Sequence, residues 1–198
     1  MSRAIVERRA QLARALRIVP YLTSNEVNLL ASETRKRRKG ERDSLLILPL
    51  YQTGLRISEA LSLTPSHIES FEGRPLLRIV GKGKKERVVA LPENLADKMR
   101  AYAYEKKIKI NERFFPINRQ RAWQILKGGI PKSRITKRVS PHLLRHSDAI
   151  ERLRQTGNPK ALQHHLGHAS PFMVMRYLST LTQEDSLRIQ QQVEFEER

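Results

Sequence analysis

Ser140-Pro141, Asn158-Pro159 and Ser170-Pro171 repeat one grammar: a side chain that accepts from a free helical N–H, then a proline preset for the first helical turn. Gly157 and Gly167 stop the first two runs so begun. A chain punctuated this way builds short helices. The third run carries Met173, Met175 and Tyr177, and Thr182 is expected to cap a last helix over 183–193. Similar signals recur upstream. Thr23-Ser24-Asn25-Glu26 is a capping box ahead of Val27, Leu29 and Leu30. Residues 42–52 read as a buried helix closed by Gly54, and 57–63 as a helix halted before Pro65. Residues 93–107 read as a helix opened by Pro92, and 118–127 as one with Trp123 and Leu126 facing inward. Residues 4–18 form an arginine-rich helical stretch, with Ile5, Leu12, Leu16 and Val19 as apolar contacts in and just after it. Two runs, 76–80 and 87–91, read as strands joined by a glycine-containing turn over 81–84, and 128–139 reads as loop. No βαβα alternation is present. The expected fold is α+β, mainly helical, with a small antiparallel sheet or hairpin.

Charge narrows the partner. The 198 residues carry a formal net charge of +18. Self-repulsion of that size suits a polyanion, with nucleic acid ahead of an anionic membrane because the bases are spread along the whole chain rather than along one amphipathic helix. Hydrophobic residues make up 39%, and no apolar run reaches the length of a membrane span. The absence of cysteine excludes disulfides, thiolate zinc sites and cysteine nucleophiles, and fits a cytoplasmic, nucleoid-associated protein. The basic run Arg35, Lys36, Arg37, Arg38 and Lys39 reads equally as a solvated loop or a set of phosphate contacts. Further DNA contacts are expected from Lys84, Lys85 and Arg87 and from Lys137 and Arg138.

Four polar islands stand out: Thr53 to Glu59 (TGLRISE), Gly81 to Arg87 (GKGKKER), His142-Leu-Leu-Arg145-His146, and Leu166-Gly-His168 followed by Arg176-Tyr177. Singly, each has a bland reading as a surface charge, a turn lysine or a core aromatic. His142 and His146 lie one helical turn apart, but Arg145 stands between them and no acidic pair lies nearby, so a metal site is disfavoured. Together the islands supply two arginines, a hairpin lysine, two histidines and a tyrosine. That set suits phosphodiester transfer. Guanidinium forks match the non-bridging oxygens, and a phenol in a cationic field can attack. A lysine can protonate the leaving oxygen, and histidines carry protons near neutral pH.

At these residues the chain resembles the catalytic domain of the tyrosine recombinases, the integrase family, and its Xer-type branch in particular. TGLRISEALSL resembles the first arginine motif, GKGKKERVVALP the β-hairpin lysine motif, HLLRHS the His-x-x-Arg motif, and LGHAS with RYL the second histidine and the nucleophile. Order and spacing both fit, from about Leu22 to Thr182. The resemblance implies that Arg56 and Arg145 bind the scissile phosphate and Lys82 protonates the leaving 5′-hydroxyl. It implies that His142 is base or proton carrier, that His168 hydrogen-bonds a non-bridging oxygen, and that Tyr177 forms a 3′-phosphotyrosyl link. Glu59 would support Arg56, and His146 would be structural rather than catalytic. Implied too are double-stranded DNA as partner, assembly as a tetramer on it, and no metal, ATP or other cofactor. Arg56, Lys82, His142, Arg145 and His168 are expected to converge on one anion-sized site, with Tyr177 free to sit off it in an inactive protein.

The expected division is a basic extension over 1–21, a catalytic domain over 22–181, and a C-terminal helix over 182–198 that either docks on a neighbouring subunit or packs back on its own. The family's N-terminal helical domain, which completes a clamp around DNA, is expected to be missing, through a natural short form or a truncation. His164 and His165 have no assigned role. Two other readings keep the fold: a DNA-binding regulator without catalysis, and a type IB topoisomerase-like relaxing enzyme. An RNA-binding protein rests on charge alone.

Overall fold

The computed structural model describes residues 19–80, 86–128, 135, 137–167 and 171–191. The helical stretch expected over 4–18 and the turn over 81–84 lie outside the described residues, as does most of the loop over 128–139.

The chain runs α1 (Ser24–Arg35), α2 (Gly40–Gln52), α3 (Ile57–Ser62), a 3₁₀ turn (Pro65–His67), β1 (Ile68–Phe71), β2 (Arg74–Val80), β3 (Glu86–Ala90), α4 (Glu93–Glu105), α5 (Arg119–Gly128), α6 (Pro141–Thr156), α7 (Pro159–Leu166) and α8 (Phe172–Gln191). The expected α+β architecture is the observed one. Local chemistry sets the boundaries. Thr23 Oγ1 accepts from the Glu26 N–H while the Glu26 carboxylate accepts from the Thr23 N–H, closing the capping box of α1. Ser140 and Asn158 accept from the N–H groups of Leu143 and Ala161, capping α6 and α7.

Two expectations change in detail. The expected small antiparallel sheet is present, with three strands in the order β1-β2-β3, one more than the two runs read as strands. Glu72 and Gly73 both sit at positive φ and form a tight reversal that pairs Ile68 with Leu77. Across β2, Leu77 faces Val89, and both are buried against the core. The second correction concerns Thr182, which does not start a new helix. Its hydroxyl donates to the Leu178 carbonyl one turn back, and α8 runs through it unbroken.

Packing falls into two cores. The larger joins α1, α2, the sheet, α4 and α5, with α2 buried through Leu45, Leu46, Ile47, Leu50 and Tyr51. The smaller lies among α6, α7 and α8 and contains Ile150, Leu153, Leu162, Leu166, Val174, Tyr177 and Leu181. Helix α6 spans both, with Leu143 and Leu144 in the first and Ala149 and Ile150 in the second. The stretch before α1 is tied down at the second core: Val19 N–H donates to Thr180 Oγ1 at 3.1 Å, and Leu22 N–H to Ser147 Oγ at 2.7 Å.

Candidate active site

The site forms where the turn after α2, the end of α7 and strand β3 meet the middle of α6. Arg145 stands on the buried face of α6 and is 6% exposed. Its Nη1 donates to the Gly54 carbonyl and its Nη2 to the Leu166 carbonyl at 2.6 Å. Two loops are thereby clamped to one guanidinium. Gly54 has φ of 57°, and a Cβ there would lie 2.4 Å from Asp148 Oδ2, so the turn that offers its carbonyl to Arg145 tolerates only glycine.

Arg56 and Arg87 share Glu59. Arg87 forms a two-pronged pair with the carboxylate at 2.6 and 2.9 Å, and Arg56 Nη1 donates to it at 3.0 Å. The backbone N–H of Arg56 also donates to Glu59, at 2.8 Å, so one carboxylate caps α3 and organises two cations. Arg56 remains half-exposed, whereas Arg87 is largely buried. Gly167 makes room for Arg87: a Cβ there would meet its Cδ at 2.8 Å. Arg87 Nε has no hydrogen-bond partner among the described residues.

The electrostatics are those of crowded positive charge. Burial, then repulsion from Arg56 and Arg87, brings the Arg145 guanidinium down to about 10, which still leaves it charged at neutral pH. Burial would raise the Glu59 carboxyl, but hydrogen bonds from Arg87 and Arg56 outweigh it and hold the group below the ordinary carboxylate range.

Tyr177 lies on α8, 3% exposed. Burial raises its phenol above the usual value against the opposing pull of Arg145 and Arg176. The phenol oxygen lies 2.7 Å from His146 Nδ1, and the two rings are 5.5 Å apart. His146, expected to be structural, is thus the histidine that meets the tyrosine. His142, the expected proton carrier, stands exposed one turn earlier. Burial, followed by the charges of His142, Arg176 and Arg145, lowers the His146 imidazole to about 4.

Behind the arginines lies a support built on two residues without an expected role, Asp148 and His165. Asp148, 3% exposed, accepts from Arg152 Nε at 2.7 Å and pairs with His165 Nε2 at 2.9 Å, while Arg152 also donates to the Gln52 carbonyl. His165 therefore ties α7 to α6 beside the Gly54 turn. Arg145, Arg56, Glu59 and Tyr177 fall in one neighbourhood. Lys82, Lys84, Lys85 and His168 lie outside the described residues. Lys137 pairs with Glu26 at 2.7 Å, and Arg138 is exposed. Arg35, Arg37, Arg38 and Lys39 line an open groove of about 970 Å³ with Arg42, Lys106 and Arg113, and Lys36 pairs with Glu33. Among the described residues no three His, Asp or Glu side chains are grouped to hold a metal ion, and no helix is long and apolar enough to cross a membrane.

Residues 20–184 match the family model described as the phage integrase family. The tyrosine recombinase XerD of Corynebacterium glutamicum is 35% identical over 157 residues, covering 74% of this chain and 50% of that protein. The chain spans about half the length of the first relatives it matches. Among solved structures, the XerH recombinase in a post-cleavage complex with a palindromic difH substrate superposes with a TM-score of 0.72 at 23% identity, covering 87% of this chain and 54% of that one. The catalytic domain of bacteriophage HP1 integrase gives 0.62 at 23% identity, covering 86% of this chain and 94% of that one.

Proposed function

The chain belongs to the phage integrase family, and on that premise we propose that it cuts and rejoins double-stranded DNA at specific sites through a 3′-phosphotyrosyl link on Tyr177. The observation that carries this reading is the fixed, buried Arg145, with Arg56 close enough to repel it and Tyr177 close enough to be drawn by it. A phosphodiester under attack gathers negative charge on its non-bridging oxygens. A guanidinium already oriented by two backbone carbonyls stabilises that charge without reorganising at the moment of reaction. Arg56 completes the clamp from the solvent side, held by Glu59.

The remaining roles rest on the resemblance to the tyrosine recombinases. The Tyr177 oxygen bonds to phosphorus as the bond to the 5′-oxygen breaks. Lys82 supplies the proton the leaving oxygen needs, and His142 takes the phenol proton. His168 donates to a non-bridging oxygen. The bond energy stays in the phosphotyrosyl ester, so rejoining needs neither ATP nor a metal. Arg35, Lys36, Arg37, Arg38, Lys39, Lys84, Lys85, Lys137 and Arg138 are assigned to the DNA backbone, and the working form is a tetramer on DNA. The chain is placed in the cytoplasm at the nucleoid.

A library of nicked duplexes, from which the cut strand diffuses away, tests the reading. The wild-type chain is expected to become covalently attached to DNA, and Tyr177→Phe to form no adduct. An adduct of equal yield in Tyr177→Phe overturns it.

A further inference from the structure

The His146–Tyr177 contact joins a side chain of α6 to the phenol on α8. His146 follows Arg145 directly, so the backbone segment that clamps the two loops also carries the group that meets the tyrosine oxygen. We infer that His146 is a positioning residue for the nucleophile: its Nδ1 accepts the hydrogen bond from the Tyr177 hydroxyl and fixes where that oxygen points relative to Arg145. This rests on the proposed reaction at Tyr177.

Three observations support the direction of the bond. The ring is half-buried and faces His142 and Arg145 on its own helix and Arg176 on α8, all of which disfavour a second proton on the imidazole. A neutral imidazole offers one bare nitrogen, and the phenol O–H is the donor at hand. The ring titrates far below its usual range while the phenol titrates above its own, so full proton transfer along this bond is uphill. The contact aims the phenol and leaves its deprotonation to another group. A misaimed nucleophile is costly, because an error of about 1 Å in a reacting group lowers the rate by about a hundredfold.

Two variants separate aiming from packing. His146→Phe keeps the ring's bulk and removes the acceptor. His146→Asn loses the bulk but sets an amide oxygen near the Nδ1 position. In a single turnover on the nicked duplex at saturating DNA, His146→Phe is expected to form adduct roughly 30- to 100-fold more slowly. His146→Asn is expected to recover to within about fivefold of wild type, with an unaltered pH profile. Phe faster than Asn makes the role one of packing and overturns the inference. Equal loss in both points to proton transfer and also overturns it, as does no loss in either.

A ¹⁵N spectrum of the histidine rings, with His146 assigned by its loss in His146→Asn, reads the bond without activity. The expected state is the tautomer with the proton on Nε2 and Nδ1 bare. A proton on Nδ1 overturns the inference. If the wild-type chain binds duplex yet forms no adduct, the proposed reaction fails while this spectrum still decides the role of His146.

Discussion

Arg145 and Arg38 carry the same guanidinium into opposite settings. The first is buried, tied to two backbone carbonyls and pressed by other cations. The second stands in solvent in the loop between α1 and α2, at an open groove lined by further bases. A buried cation costs desolvation, which its hydrogen bonds must offset, but it is already oriented when a phosphate arrives. An exposed cation is screened within about 8 Å at physiological salt and keeps its rotamer freedom. It can draw DNA in, yet it cannot hold one phosphorus atom in place. The interior cluster is therefore assigned to chemistry and the loop to attraction.

That contrast breaks first if Arg145 proves dispensable. Arg145→Lys cannot bridge the Gly54 and Leu166 carbonyls as a fork does. It is expected to slow adduct formation by about a thousandfold and to lower unfolding free energy by about 3 kcal/mol, read by single-turnover cleavage and urea denaturation. A milder loss is expected for Glu59→Gln, which weakens the pair with Arg87 and the tether on Arg56. Stability should fall by about 2 kcal/mol and cleavage by about tenfold, and cleavage unchanged by this variant would mean that Arg56 needs no tether.

Acid sharpens the comparison further. His146 titrates near 4 in the folded chain and near its ordinary 6.5 when unfolded. Between those values the unfolded state binds the extra proton, so this contribution is intact above about pH 6.5 and is lost as pH falls toward 4. The ring is partly solvated, so a loss of roughly 1–2 kcal/mol is expected, as the difference in acid dependence of urea midpoints between wild type and His146→Asn. The smallest structural effect belongs to the loop. Arg37→Gln combined with Arg38→Gln should leave stability within about 0.5 kcal/mol and weaken duplex binding regardless of sequence. Its salt dependence should flatten by about two in log–log slope. A specific loss of cleavage at saturating DNA would break the assignment of this loop to attraction.

The helical half was legible because its signals are local: Ser140, Asn158 and the glycines after each run act on neighbouring backbone, and the structure honours them. The order of polar islands likewise put Arg56 and Arg145 at one expected site, and the two lie within each other's electrostatic reach. What stayed hidden depends on distant parts of the chain. Strand β1 has only Ile68 and Phe71 as apolar residues and exists because β2 covers it. The bond from Thr182 back to Leu178 is indistinguishable in sequence from a cap. The pairing of His165 with Asp148, of Arg87 with Glu59 and of His146 with Tyr177 each joins separate elements. Gly54 and Gly167 did hold a trace of the first two, because each is small where one of those side chains passes.

Where DNA becomes attached decides whether Tyr177 is the nucleophile. Incubation of the chain with nicked duplex in the presence of EDTA, followed by protease digestion and mass spectrometry, reads that position directly. A 3′-phosphate of DNA is expected on the peptide containing Tyr177, in a yield unaffected by the chelator. Attachment to another residue, or an adduct that vanishes when divalent ions are removed, would overturn metal-free attack by Tyr177.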